Sequence, residues 1–271
     1  MLQGSPLLGA AFALRSPTAN QLGPLALLVS ANICLVAHIF VINDWSNLTA
    51  DRTDPNRAVD VFTARGMRGH EMFALAAGLL ATSLLLFALL GPTTLYIALG
   101  IAALSTLYSV PPFNWKGRPL LNSVAHLTGG ALHFLLGYSL GHVLDGRGLV
   151  IATFFALTFA AGHLTQELRD YDSDVRSAIM TNAVAFGRRR TFVASVALFT
   201  LSQALLVVLA LQGTLPRALA GLAVLYPIHL RWSLQALAQE LDYASICRLQ
   251  ARYRALYAVV GLALVAALWL D

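Results

Sequence analysis

Long apolar runs separated by shorter polar segments make up most of this sequence. Several runs approach 20 residues, the length that an α-helix needs to cross the hydrocarbon core of a bilayer. Because backbone polar groups in lipid must be satisfied internally, such runs predict membrane helices. We expect eight full spans, at residues 21–43, 69–90, 93–110, 120–143, 149–166, 190–211, 219–230 with its flanks, and 253–270.

A shorter apolar piece precedes the first span. Met1 to Leu14 is about half as long as a span and has no basic region before it, so it is not expected to be a signal peptide. We expect it to be the second half of a helix whose beginning is missing or re-entrant. The predicted fold class is therefore an all-α polytopic membrane bundle of about nine spans, with residues 1–271 as one transmembrane domain.

The composition supports a membrane protein and changes how the net charge is interpreted. Hydrophobic residues make up 58% of the chain and charged residues only 11%, whereas about 25% of a soluble domain is charged. The net charge of +5 would suggest nucleic-acid binding in a soluble protein. In a membrane protein, an excess of arginine marks the cytoplasmic loops, so no nucleic-acid partner is expected.

The basic residues divide unequally between the two predicted faces. If each span crosses once, 15 of the 18 Lys and Arg residues lie in four loops on one face, and the last of these loops is predicted to form an interfacial helix. This inequality predicts that the basic face is cytoplasmic, in a protein of the plasma (inner) membrane. The four loops are 44–68, 111–119, 167–190 and 231–254.

Two groups of acids and amides fall on that same face. Asn43, Asn47 and Asp51 are spaced by four residues, with Asp44 beside the first, so in a helix they share one stripe. Farther along, Glu167, Asp170 and Asp174 are spaced by three and four residues and form a second stripe.

Oxygen-rich stripes of this kind suit Mg²⁺, which binds a few carboxylates and keeps open positions for phosphate oxygens. The alternative is that these acids are solvated loop charges that pair with nearby arginines, namely Arg52, Arg57, Arg169 and Arg176. His163 extends the second stripe and is either a core histidine or a partner of the acids.

Three stretches in order resemble the UbiA superfamily of intramembrane prenyltransferases. Residues 43–52 resemble the family's first aspartate-rich motif, and residues 167–174, followed by Thr181 and Gly187, resemble its second. Residues 108–116 resemble the cytoplasmic segment between the motifs. The resemblance implies helices around a central cavity with a cytoplasmic cap.

The resemblance also implies roles for individual residues. Asp44, Asp51, Asp170 and Asp174 would be the catalytic carboxylates. The implied diphosphate-binding residues are Arg57, Tyr108, Lys116 and Arg118, and the implied Mg²⁺ ligands are Asn43, Asp44, Asn47, Asp51, Glu167, Asp170 and Asp174. Aromatic side chains that could stabilise an allylic cation are Phe40, Phe134, Tyr138, Phe155 and Phe159.

The sequence departs from the family pattern at three places. Asn47 replaces an aspartate and removes one negative charge, whereas Glu167 replaces an aspartate and lengthens the side chain. The usual Arg-Pro after the first motif is absent, and Arg57-Ala58 stands there. These departures leave metal-assisted ionisation plausible but leave the acceptor open.

The resemblance implies that the chain ionises an isoprenyl diphosphate and transfers the prenyl group to an aromatic or quinone-precursor acceptor. A terpene cyclase of the same superfamily is the alternative, with the same ionisation but with intramolecular capture of the cation. A transporter or an inactive scaffold is a third possibility. A transporter is expected to carry charges within its spans, whereas here the acids collect at the ends of spans.

Overall fold

The computed structural model describes residues 4–14, 18–48, 66–141 and 143–270, with side chains up to residue 268. Within these ranges the chain forms ten α-helices and three 3₁₀ segments and contains no strand, which confirms the all-α prediction. The helices are α1 (Gly4–Leu14), α2 (Leu22–Ser46), α3 (Gly69–Leu90), α4 (Pro92–Ser109), α5 (Leu121–Tyr138), α6 (Gly146–Arg176), α7 (Asn182–Phe186), α8 (Arg188–Leu211), α9 (Tyr226–Ala238) and α10 (Tyr243–Leu270).

Within the part of the chain that the structure describes, five helical segments are long and apolar enough to cross a membrane. They are Ala19–Ser46, Gly69–Leu90, Gly146–Arg176, Arg188–Leu211 and Tyr243–Leu268. α4 and α5 have 18 residues each, close to the lower limit for a span. The count of about nine spans and the cytoplasmic cap remain predictions.

The long α6 differs most from the sequence-based expectation. The predicted span ended at residue 166 and was followed by a polar loop, but α6 continues without a break to Arg176. Its 31 residues give a length of about 46 Å, more than the hydrocarbon core of roughly 30 Å. The loop prediction was wrong because Glu167, Leu168 and Asp174 are buried, so tertiary contacts stabilise the polar end of the helix.

The segment 231–254, which was predicted to form an interfacial helix, is mostly helical but is divided between two helices. α9 continues to Ala238 and α10 begins at Tyr243. Asp242 caps α10, because its Oδ1 accepts a hydrogen bond of 2.6 Å from the Ser245 N–H. Hydrogen bonds from Ser245 lower the pKa of the Asp242 carboxyl group below its ordinary value.

α6 occupies the centre of the helix packing. It packs against both α5 and α8, while α5 also contacts α1 and α2 packs against α3. One cluster of buried apolar side chains extends through most of these helices. The second acidic motif therefore lies on the helix at the centre of the packing.

α1 and α5 approach each other closely through glycines. A Cβ at Gly137 would lie 1.7 Å from the Pro6 carbonyl oxygen, and a Cβ at Gly9 would lie 2.1 Å from the Phe134 carbonyl oxygen. Both obstacles are backbone atoms, so no side-chain rotation relieves the clash. The short N-terminal helix is thus fixed against α5 at two points.

Gly137→Ala is expected to destabilise the protein by about 3 kcal/mol or more, because the two helices must separate. The matched control is Gly78→Ala in α3, where nothing lies within 4 Å of the new Cβ. That substitution should be neutral or stabilising by up to about 1 kcal/mol. Thermal unfolding of both variants in one detergent measures the difference, and equal melting temperatures would contradict the close packing.

Candidate active site

The first motif lies at the carboxyl end of α2. Asn47 follows the helix, and its Nδ2 donates a hydrogen bond of 3.1 Å to Asn43 Oδ1, so both amides share one helical face as predicted. Asp44 is helical and half-buried. Trp45 packs on Phe73 of α3 with ring centroids 5.3 Å apart, which fixes the end of α2. Asp51 and Arg57 lie outside the described residues.

The carboxylates of the second motif differ in environment. Asp174 is 5% exposed, and Thr181 Oγ1 lies 3.3 Å from its Oδ2 as a donor. Asp170 is 24% exposed and makes a bidentate pair with Arg169, at 2.8 Å and 2.9 Å. The alternative of arginine pairing is thus observed for Asp170, although such partly exposed pairs contribute little to stability.

Glu167, the first member of the second motif, is 3% exposed. Its Oε1 accepts hydrogen bonds from Asn122 Nδ2 at 2.6 Å and Asn182 Nδ2 at 2.9 Å, and its Oε2 accepts one from the Ala183 N–H at 3.0 Å. His163 Nε2 lies 2.9 Å from Oε1, without the angle of a hydrogen bond. Glu167 therefore joins α5, α6 and α7.

Three of the predicted diphosphate-binding residues lie in the segment from the end of α4 to the start of α5. Tyr108 interacts electrostatically with all three carboxylates of the second motif. Lys116, in a 3₁₀ turn formed by Trp115–Gly117, is close enough to Asp174 and His163 to interact with both. Arg118 is exposed just after this turn. The fold thus brings Tyr108 and Lys116 to the second motif.

A stacked pair of histidines lies next to the second motif. The sequence indicated His163 as a candidate but not His126. His126 and His163 lie face to face with ring centroids 3.5 Å apart, and the edge of Tyr108 meets His126 at 4.9 Å. His126 Nδ1 donates to the Asn122 carbonyl oxygen at 2.8 Å. The sequence offered one signal for His126, its spacing of four residues from Asn122 on the same face of α5.

The aromatic residues suggested by the sequence fall into separate groups. Phe159 stacks on His126 with a centroid separation of 5.6 Å, so it lies next to the histidine pair. Phe134, Tyr138 and Phe155 are buried and stack on one another in the core, whereas Phe40 is exposed. Among the five, Phe159 is therefore the best placed to face a substrate near the second motif.

The donor chemistry at the two motifs fits Mg²⁺. Asp44, Asp170 and Asp174 are carboxylates and Asn43 and Asn47 are amides, the hard oxygen ligands that this ion prefers. Within the described ranges, no three His, Cys, Asp or Glu side chains are grouped closely enough to hold a metal by themselves. A few protein ligands completed by phosphate oxygens and water are the usual arrangement for Mg²⁺.

An open pocket of about 630 Å³ lies elsewhere in the structure. Its lining includes Arg147 and Val150 at the start of α6 and Gln212 after α8. The start of α6 is about 40 Å along the helix from Asp174, so this pocket is separate from the acidic motifs.

Comparisons with known proteins identify relatives of this chain. Two curated relatives are lycopene elongase/hydratases, one from Haloferax volcanii with 30% identity over 170 residues and one from Haloarcula japonica with 28% identity over 197 residues. The alignments cover 61% and 70% of this chain but only 52% and 64% of the relatives. The chain thus matches between half and two thirds of the length of each relative.

Solved structures share the fold at low sequence identity. A UbiA homolog from Archaeoglobus fulgidus bound to GPP and Mg²⁺ has a TM-score of 0.73 and 17% identity, with 98% of this chain and 94% of that chain covered. The same homolog bound to DMAPP and Mg²⁺ gives the same values. The family model of the UbiA prenyltransferase family matches residues 5–249. The chain therefore belongs to the UbiA prenyltransferase family.

Proposed function

We propose that this protein is an Mg²⁺-dependent intramembrane prenyltransferase that ionises an isoprenyl diphosphate and transfers the prenyl group to an acceptor. The observation that carries the proposal is that the buried carboxylate of Asp174 lies close enough to Lys116 for the two charges to interact. The chain that holds them belongs to a prenyltransferase family. The same pairing of metal ligands with a cation suits a diphosphate, which needs its negative charge neutralised in order to leave.

The proposed Mg²⁺ ligands are Asn43, Asp44, Asn47 and Asp51 of the first motif and Asp170 and Asp174 of the second. Bound there, Mg²⁺ would neutralise the charge that develops on the departing diphosphate. For Asp170 this requires its carboxylate to exchange Arg169 for the metal, and both groups are partly exposed. The UbiA homolog that binds GPP and Mg²⁺ supports this part of the proposal.

The chain's own side chains would bind and orient the donor. Lys116, Arg118 and Arg57 would contact diphosphate oxygens, and Tyr108 would position the donor at the second motif. The ring of Phe159 would face the allylic carbon, where an aromatic π face stabilises positive charge. Apolar surroundings would keep water away from the cation.

The proposal includes two classes of acceptor. The family resemblance favours an aromatic or quinone-precursor acceptor, whereas the name of the two curated relatives, lycopene elongase/hydratase, favours an apolar polyene. Cyclisation of the donor without an acceptor is the alternative reaction for the same proposed ionisation.

The test is an incubation of purified protein with Mg²⁺ and geranyl, farnesyl or geranylgeranyl diphosphate. Each donor is supplied alone, with an aromatic acceptor, or with lycopene, and both diphosphate release and products are measured. We expect release and a prenylated product only when an acceptor is present. A cyclic hydrocarbon from the donor alone would replace transfer by cyclisation, and no release from folded protein would contradict both.

Metal removal gives an independent prediction. EDTA is expected to reduce turnover to background, because without Mg²⁺ the negative charge on the departing diphosphate is not neutralised. Added Mg²⁺ should restore turnover. The measurement is diphosphate release before chelation, after chelation and after readdition. Turnover that persists in metal-free buffer would contradict the proposed mechanism.

A further inference from the structure

The hydrogen bonding of Glu167 sets it apart from the other acids of its motif. We propose that Glu167 is not an Mg²⁺ ligand but a positioning residue, which holds the segment that carries Lys116 and the start of α7 against α6. Its role in placing Lys116 for the diphosphate rests on the proposed function, whereas its anchoring of the two segments does not.

The first observation is that protein donors already occupy the carboxylate. Asn122 and Asn182 both donate to Oε1, and the Ala183 N–H donates to Oε2. The side chain is 3% exposed, compared with 24% for Asp170. A buried carboxylate is tolerated when its oxygens are hydrogen bonded in this way. A metal at Glu167 would have to displace these donors.

The second observation is that the two asparagines also form hydrogen bonds with the segment that carries Lys116. Asn182 Oδ1 accepts a hydrogen bond of 2.7 Å from the Leu120 N–H, and Asn122 Nδ2 also approaches the Lys116 carbonyl oxygen at 3.4 Å. Because Oε1 of Glu167 accepts from both amides, the two asparagines turn their NH₂ ends towards Glu167. The Asn182 oxygen is thereby left free for Leu120.

Leu120 is a position where such a constraint is needed. Its φ is +65°, a backbone conformation that a leucine rarely adopts and that is strained. The hydrogen bond to Asn182 holds the residue in this conformation at the point where the Lys116 segment enters α5. Without the anchor, the segment can relax to an ordinary conformation and move Lys116.

The length of the glutamate side chain fits this role. An aspartate has one methylene group fewer, so its carboxylate would lie about 1.5 Å farther from the donors on α5 and α7. Bonds of 2.6 to 3.0 Å would then exceed hydrogen-bonding distance. The distance to these donors thus explains why this position holds a glutamate and not the aspartate of the family pattern.

The first experiment measures thermal unfolding of metal-free protein in detergent. Glu167→Asp and Asn182→Ala should each lower the melting temperature by roughly 5–10 °C. The double variant should fall little below the worse single variant, because both break one network. If Glu167 served only to bind metal, Glu167→Asp would keep its charge, and the metal-free protein would melt at the wild-type temperature.

Asp170→Asn is the matched control within the same motif. Its pair with Arg169 is partly exposed, so its metal-free melting temperature should stay within about 2 °C of the wild type. Asp170→Asn should nevertheless lose the stabilisation that Mg²⁺ and geranyl diphosphate give the wild type.

Amide hydrogen exchange keeps the inference testable should Glu167→Asp not survive extraction. Glu167→Gln keeps the length of the side chain but replaces one carboxylate oxygen with an NH₂ donor, so one of the two ends loses its hydrogen bonds. In this milder variant, the amide of Leu120 or of Ala183 should exchange faster, while amides in the middle of α8 stay unchanged. Unchanged exchange at both residues would overturn the anchoring.

The positioning itself is measured by kinetics. Glu167→Asp should raise the KM for the isoprenyl diphosphate about tenfold, and it should add nothing in a Lys116→Ala background. Additive effects, or a Glu167→Asp protein with wild-type metal-free stability, would overturn the inference. If the wild type binds neither Mg²⁺ nor the diphosphate, the proposed function fails, and the stability and exchange measurements still decide whether Glu167 is an anchor.

Discussion

Asp174→Asn is expected to reduce turnover by about a thousandfold or more while the protein stays folded. Asp174 is the most buried of the proposed Mg²⁺ ligands that the structure describes, so water replaces its charge poorly. The loss corresponds to about 4 kcal/mol of transition-state stabilisation, in the range for removal of a group that neutralises developing charge. Asparagine keeps an oxygen to accept from Thr181, so the local fold should survive.

Asp172→Asn is the matched control for this prediction. Asp172 lies on the same end of α6, but its side chain is 65% exposed and pairs with Arg188. The same loss of charge there should leave turnover within about twofold of the wild type. Diphosphate release at saturating Mg²⁺ measures both variants. If Asp174→Asn were as active as Asp172→Asn, Asp174 would not belong to the metal site.

Lys116→Ala is expected to lower kcat/KM for the isoprenyl diphosphate by about a hundredfold to a thousandfold. Lys116 is half-buried and acts electrostatically on Asp174 and His163, so its ammonium group lies where a diphosphate bound at the second motif would need a cation. Loss of one charge-stabilising donor typically has an effect of this size. Lys116→Arg should restore part of the activity, because the charge returns with a different shape.

Arg217→Ala provides the control for charge alone. Arg217 is exposed at the start of the 3₁₀ segment Arg217–Leu225, on the predicted opposite face. Its removal changes the net charge by the same amount and should leave kcat/KM unchanged. A comparable loss in both variants would indicate a general effect of charge, and the assignment of Lys116 to the diphosphate would then be wrong.

The sequence anticipated the site better where the spacing of residues is local. Asn43 and Asn47 share a helical face as their spacing of four predicts, because a helix fixes which residues are neighbours. The same reasoning placed Glu167, Asp170 and Asp174 on one stripe, but it did not distinguish their environments. Burial depends on what packs against the stripe, and α7 and the start of α5 supply those contacts.

The sequence by itself determined that this is an all-α chain with membrane helices and three motifs of the UbiA family, because apolar length and helical spacing are properties of neighbouring residues. Only the tertiary structure decided that α6 stays helical through its polar end and that Glu167 is enclosed by Asn122 and Asn182. These contacts join residues 45 and 15 positions apart in the chain. No local pattern specifies such partners, because they depend on how the helices pack.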